Sequence, residues 1–284
     1  MGAMHLSVSP SAEGAGPKTN RNKNKMQLRV LYALLGISCA LIVAFAAGLA
    51  LEIYTNRQGQ SFYESAPPVA YKPRPVVTAP ATAGGTPSSA EDEYTSFIDF
   101  ETVCQHYPDT VAWLQSAGTV INYPVMKGSD NEYYLGHLPD KTSNRIGSIF
   151  LDFRNQADFS EQNIFIYGHN MASGDMFGSL ANYVNQSYYE QNFSMYLFTP
   201  TADYSIHLFA GYIVDSAYEV PPMSFRDQSD FEQYISELNS RSVFKSDVPV
   251  SYDDRLVFLC TCTPSSLMAS SSGRFVLVGK LVLE

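Results

Sequence analysis

The sequence is poor in the residues that carry most metal and redox chemistry: four cysteines, five histidines and one tryptophan among 284 residues. It has no C-x-x-C pair and no paired histidines at zinc spacing, so no metal is expected, and no cofactor. Basic residues are scarce too, 18 against 28 acidic ones, for a net charge of −10. They are also unevenly spread. Lys18, Arg21, Lys23, Lys25 and Arg29 precede residue 30 against the single acid Glu13, leaving +4 there and −14 for the remainder. An acidic body has no basic surface with which to neutralise phosphates, so nucleic acid is excluded as a partner. No internal repeat is visible.

Long apolar runs are lacking as well, with one exception. Val30 to Leu51 is uncharged over 22 residues, bracketed by Arg29 and Glu52. At about 1.5 Å per residue such a helix spans a hydrocarbon core of roughly 30 Å. Ala46-Ala47-Gly48 and Ala50 would suit a cleavable signal, but the run exceeds the usual length of a signal core, which favours an uncleaved anchor. The basic flank places the N-terminus in the cytoplasm and the rest outside it. The expected organisation is a basic cytoplasmic tail over 1–29, a single-pass transmembrane helix over 30–51, a Pro-rich extracellular stalk over 52–93 and a folded domain over 94–284.

Within that domain Phe97, Phe100 and Cys104 recur at helical spacing. Pro108-Asp109 then predicts a break before a second short turn ending in Val111-Ala112-Trp113-Leu114. From Gly118 onward the pattern turns to short β-rich runs: TVINYPVM, GSIFLDF, NIFIYGH, YSIHLFAGYIV, RLVFLCTC and RFVLVGKLVL. Two helical inserts interrupt them. The first carries Phe177, Leu180 and Val184. The second, Ser229 to Asn239, has a stripe of Phe231, Tyr234, Ile235 and Leu238 opened by a Ser229/Glu232 capping box. Six or more strands without regular βαβ alternation predict a mainly β domain, a closed barrel with helical additions.

The candidate chemistry lies at strand ends. Cys39 falls in the apolar segment, leaving Cys104, Cys260 and Cys262, an odd number that requires a free thiol. Cys260 and Cys262, two apart on one strand, are poorly placed to bridge each other, whereas a Cys104–Cys260 pair stays open. Cys262 closes its strand beside a Pro/Ser loop, and as a nucleophile it needs a base or an electropositive neighbour; Cys260 is the other nucleophile to weigh. Of the histidines, His5 is excluded by topology, His106 suits a helix end, and His207 sits inside a strand. His137 is on a loop. His169 ends an apolar strand after a glycine, the same kind of location as Cys262. Arg274 opens the last strand, where a guanidinium would stabilise a developing oxyanion.

These residues resemble the sortase family, and within it class B. Leu259-Cys260-Thr261-Cys262 is similar to the TLxTC signature, with Phe258 where its first threonine usually stands. Tyr167-Gly168-His169-Asn170-Met171, continued by Gly174-Asp175-Met176-Phe177, resembles the class B YGHNM segment. Gly273-Arg274-Phe275 with Val278-Gly279-Lys280-Leu281 resembles the family's arginine strand. Asp130 to Leu135 and Gly147 to Asp152 follow class B patterns too. Thr263 stands where some relatives carry an acid.

The resemblance implies a membrane-anchored cysteine transpeptidase on a Gram-positive-type cell surface. It would cleave a C-terminal sorting motif (NPxTN-like) of secreted proteins through a thioester and pass the acyl group to an amine of a peptidoglycan precursor. A pilin lysine is the alternative acceptor, water a third, and a catalytically silent binding protein with the same barrel the reading from another class. Cys262 is then the nucleophile, His169 the general acid and base, and Arg274 the substrate and oxyanion anchor. Asn131, Leu135, Tyr167, Cys260 and Thr261 are expected to line the substrate groove, with Tyr234 and Ile235 of the helical insertion facing substrate or packing in the core.

Overall fold

The computed structural model describes residues 18–65, 97–214, 221–262 and 274–284. The chain divides into two compact units, Met1–Tyr54 and Thr55–Glu284. In the first, helix α1 (Lys18–Ser65, continuing into the second unit) carries one stretch long and apolar enough to cross a membrane.

The second unit is a closed barrel of eight strands: β1 (Thr110–Gln115), β2 (Asn122–Lys127), β3 (Ile149–Leu151), β4 (Asn163–Tyr167), β5 (Ser194–Phe198), β6 (Asp203–Val214), β7 (Leu256–Cys262) and β8 (Arg274–Leu283). Their order around the barrel is β1-β2-β3-β4-β7-β8-β6-β5, closed by β5 on β1. The β2/β3 and β4/β7 pairs are parallel and the rest antiparallel.

Two buried faces explain the apolar runs. On β7, Val257 and Leu259 join the barrel interior with Ile164, Ile166, Phe275 and Leu277. The alternate residues Leu256, Phe258 and Cys260 join a second cluster with Phe165, Val276 and Val278. That cluster is covered by helix α4 (Gln228–Arg241), whose Phe231 and Leu238 are buried. Burying each such side chain contributes about 1.5–3 kcal/mol. A strand covered on both sides cannot alternate apolar with polar, and β7 and β8 read accordingly as continuous hydrophobic runs.

Several elements differ from expectation. Val111 to Leu114 is not a helical turn but part of β1. Helix α2 (Phe100–His106) ends before it, and Trp113 packs in a cluster with Ile98, Phe100, Val103 and Phe198 while its Nε1 donates to Asn122 Oδ1 at 2.8 Å. Strand β5 was not anticipated, because its outward Tyr196 and Ser194 dilute the apolar pattern of SMYLF. The first insert is a 3-10 turn (Gly178–Val184) followed by the short α3 (Gln186–Gln191). Helix α4 is capped by Asp227, whose side chain accepts from Asp230 N, rather than by Ser229. Part of the span expected as stalk is helical: the last turns of α1, Thr55–Ser65, belong to the barrel unit. There Tyr63 is buried in the core and donates to Gly147 O at 2.7 Å, and Asn144 Nδ2 donates to Thr55 O at 3.0 Å. The remainder of the expected stalk lies outside the described residues, as does the Cys262–Arg274 connection.

Candidate active site

The strand register places the candidate residues. In the parallel β4/β7 pair, Tyr167 stands opposite Cys260. His169 follows Tyr167 by two residues, as Cys262 follows Cys260. In the antiparallel β7/β8 pair, Cys262 stands opposite Arg274. The backbones of all three positions therefore come to one end of the barrel.

A cavity of about 470 Å³ opens there. Asn131, Leu135, Tyr167, His169, Cys260, Thr261 and Arg274 line it, together with Phe150, Phe153, Arg154 and Gly168. Five of the seven expected groove residues are thus gathered in one place. Tyr234 and Ile235 are not among its lining. They pack in the cluster under α4, with the Tyr234 ring 5.1 Å from Phe225 and 6.5 Å from Phe258. An amphipathic stripe turned to the sheet serves the core, and that is what these two do here.

His169 is held from several directions. Its Nε2 lies 2.7 Å from Leu135 O. A carbonyl only accepts, so Nε2 carries the hydrogen and Nδ1 is the nitrogen left to take a proton. Its own carbonyl accepts from Phe177 N at 3.0 Å, and the preceding Gly168 N donates to Cys260 O at 3.2 Å. Gly168 is required by space: a Cβ there would lie 2.4 Å from Ile149 Cδ1 and 2.9 Å from Phe177.

The two remaining thiols of the barrel unit's described side chains are free, so Cys104 and Cys260 do not pair. Burial pushes the Cys260 thiol up to about 12, against the opposing pull of Arg274. A thiol kept neutral is a poor nucleophile. Tyr167 is likewise held protonated well above the usual phenol range, by burial first and then by Cys260 and Asp152.

Beneath the groove lies a group that no local sequence pattern assigns to it. Asp152 is fully buried. Its carboxylate accepts from Arg154 Nε at 2.9 Å and Nη2 at 2.8 Å, from Tyr167 Oη at 3.0 Å and from Asn131 Nδ2 at 3.1 Å. Burial alone would raise its pKa, but these bonds outweigh it and hold the carboxyl below its ordinary value. The acid and base two apart in LDFRN were visible; that they meet under a groove was not. Thr261 Oγ1, also buried, has no hydrogen-bond partner among the described residues.

The other described histidines are accounted for locally. His137 stacks on Tyr133 at 4.0 Å, His106 bonds Thr102 O and His207 bonds Ser205. Among the described residues no group of three or more His, Cys, Asp or Glu is placed to hold a metal ion.

Known proteins are similar to this chain in sequence and in fold. Sortase B of Listeria monocytogenes is 31% identical over 236 residues, covering 83% of this chain and 90% of the relative. The chain belongs to the sortase family. Sortase B of Staphylococcus aureus is 32% identical over 183 residues, 64% of this chain and 74% of the relative. The solved S. aureus sortase B–substrate complex superimposes with a TM-score of 0.60 at 32% identity, over 65% of this chain and 84% of that one. No family model matches the chain. Membership makes the class of activity that of a cysteine transpeptidase, and the eight-stranded barrel is the sortase B fold.

Proposed function

We propose that this sortase is of class B and acts as a single-pass membrane enzyme outside the cell. Residues 1–29 would lie in the cytoplasm, 30–51 in the bilayer, and the barrel unit, which begins at Thr55, outside the cell. It cleaves a C-terminal sorting motif of secreted proteins, NPxTN-like, and transfers the new acyl end to an amine of the cell wall. The observation that carries the reading is the register at one barrel end, which supports a shared role for His169, Cys262 and Arg274. The helix α4 insertion between β6 and β7 and the relatives' own class support class B.

In this reading the Cys262 thiolate attacks the scissile carbonyl. The carbonyl oxygen becomes an oxyanion, which the Arg274 guanidinium stabilises; donors of this kind are worth about 10²–10³ in rate. His169 gives a proton to the departing amine, and the C–N bond breaks to leave a thioester. An incoming amine then attacks the thioester, loses a proton to His169 and expels the thiolate. The cavity walls, Leu135 and Tyr167 among them, support a role in binding the peptide.

The test is cleavage of an NPxTN-type peptide by the full chain in detergent. Wild-type turnover, its loss in Cys262→Ala with an unchanged thermal transition, and acceleration by an added peptide amine are expected. Retained turnover in Cys262→Ala would refute the assignment, and turnover indifferent to amine would make the enzyme a hydrolase.

A further inference from the structure

The groove has a polar wall that sequence motifs do not reveal. Three lining side chains, Asn131, Arg154 and Tyr167, all donate to one buried carboxylate, Asp152. The consequences for the three differ. Tyr167 spends its single O–H there. Asn131 is committed at both ends, because its Oδ1 also accepts from Phe153 N at 3.0 Å. Arg154 is not. It meets Asp152 side-on through Nε and Nη2, which turns Nη1 and its two hydrogens away from the carboxylate. Its side chain is 37% exposed, while that of Asp152 is 0% exposed.

We propose that Arg154, clamped by Asp152, is a specificity-determining residue that donates its outward N–H edge to an oxygen-bearing side chain of the bound peptide. This rests on the sortase reading above and assigns a residue to the selection of a polar side chain of the kind an NPxTN-like motif carries. At one motif position the enzyme takes Asn, Gln, Asp or Glu and rejects Lys or Arg. The charge around the cavity points the same way. Among the described residues its lining holds two guanidiniums, Arg154 and Arg274, and no carboxylate, since Asp152 lies behind the wall. A basic peptide side chain would meet like charge and no acceptor, which is how a site discriminates by repulsion as well as attraction. The hydroxyl of Thr261 on the same cavity, without a hydrogen-bond partner among the described residues, is a second group that a peptide polar atom would satisfy. Asp152 is the positioning residue of the set: it fixes the guanidinium plane in place, so less freedom is lost when the peptide binds.

The experiment uses the full chain in detergent with a library of sorting peptides in which each motif position is in turn Asn, Asp, Leu or Lys. A site built on a hydrogen bond should favour Asn or Asp over Lys at one position by about 30-fold or more in kcat/KM. Arg154→Lys should lower kcat/KM for the favoured peptide about tenfold, chiefly through KM. Arg154→Gln alone would strand a buried carboxylate and threaten folding. The paired variant Asp152→Asn/Arg154→Gln removes both charges, and in it the preference should shrink to within about threefold. A folded paired variant that keeps the wild-type preference overturns the proposal while the sortase reading stands. If the wild type cleaves no peptide of the library, the reading and this inference fall together. If the paired variant does not unfold cooperatively, Arg154→Lys decides: an unchanged profile and KM overturn the assignment.

Discussion

Tyr167 and Cys260 are register partners across the parallel β4/β7 pair, and their side chains meet on the wall of the same cavity. Parallel strands run in one direction, so the residues that follow each partner leave the sheet at the same end. Through that single pairing, His169 and Cys262, 93 positions apart, begin their loops side by side. Arg274 joins them because β8 starts where β7 stops.

Gly168 sits at the turn from this strand into His169. Gly168→Ala would drive a methyl to 2.4 Å from Ile149 Cδ1, against a packed interior. Overpacking of this kind typically costs about 1–3 kcal/mol. The expected outcome is a lower urea midpoint with a disproportionate loss of peptide cleavage, because the displaced backbone carries His169. Full activity and an unchanged midpoint would show that the neighbours yield freely.

Cys260 should be silent toward thiol reagents. Its thiol stays protonated until about pH 12, so between pH 7 and 9 no thiolate is available to attack. Mass mapping after brief treatment of the full chain with a methanethiosulfonate reagent should find Cys262 modified and Cys260 intact. Rapid modification of Cys260 would contradict its burial.

Arg274→Ala should reduce kcat for peptide cleavage by about 10²-fold with the fold retained, as expected when a single oxyanion donor is lost. Arg274→Lys should recover part of that loss by restoring charge without the planar fork. A change confined to KM would place Arg274 in ground-state binding alone.

Asp152 gives the acid limb of stability a defined sign. Its folded carboxyl titrates below the ordinary value because Arg154, Tyr167 and Asn131 outweigh the burial penalty. A depressed pKa stabilises the fold above the unfolded carboxylate value, about 3.9. That contribution is lost as pH falls through the folded one. Thermal midpoints measured from pH 7 to 2 should therefore fall below about pH 4. The drop should be shallower in Asp152→Asn from a lower neutral-pH starting point, and identical acid limbs would remove Asp152 as its source.

Tyr63→Phe tests the docking of Thr55–Ser65 within the barrel unit. It deletes the hydroxyl that donates to Gly147 O and leaves a buried carbonyl with one partner fewer. A loss of about 1–3 kcal/mol in urea unfolding is expected. No change would mean that water replaces the hydroxyl at no cost.

The sequence by itself determined the membrane-length apolar stretch, a mainly β domain and the three chemically apt residues at strand ends. Each of these is written in local pattern: a run of 22 uncharged residues, short β-rich segments, a His and a Cys each closing an apolar strand. It misread Val111 to Leu114 because a strand opening right after a helix break looks like another turn. It missed β5 because exposed residues interrupt the apolar period. Only the tertiary structure decided which strands are neighbours, and so which side chains share the groove. Tyr234 and Ile235 went to the cluster under α4, since the stripe that makes α4 amphipathic is the face it must bury. Arg154 lines the groove, with Asp152 buried behind it, for the converse reason. A buried carboxylate is tolerated only where enough donors converge on it, and Asn131 and Tyr167 reach it from elsewhere in the chain, through contacts that no local pattern encodes.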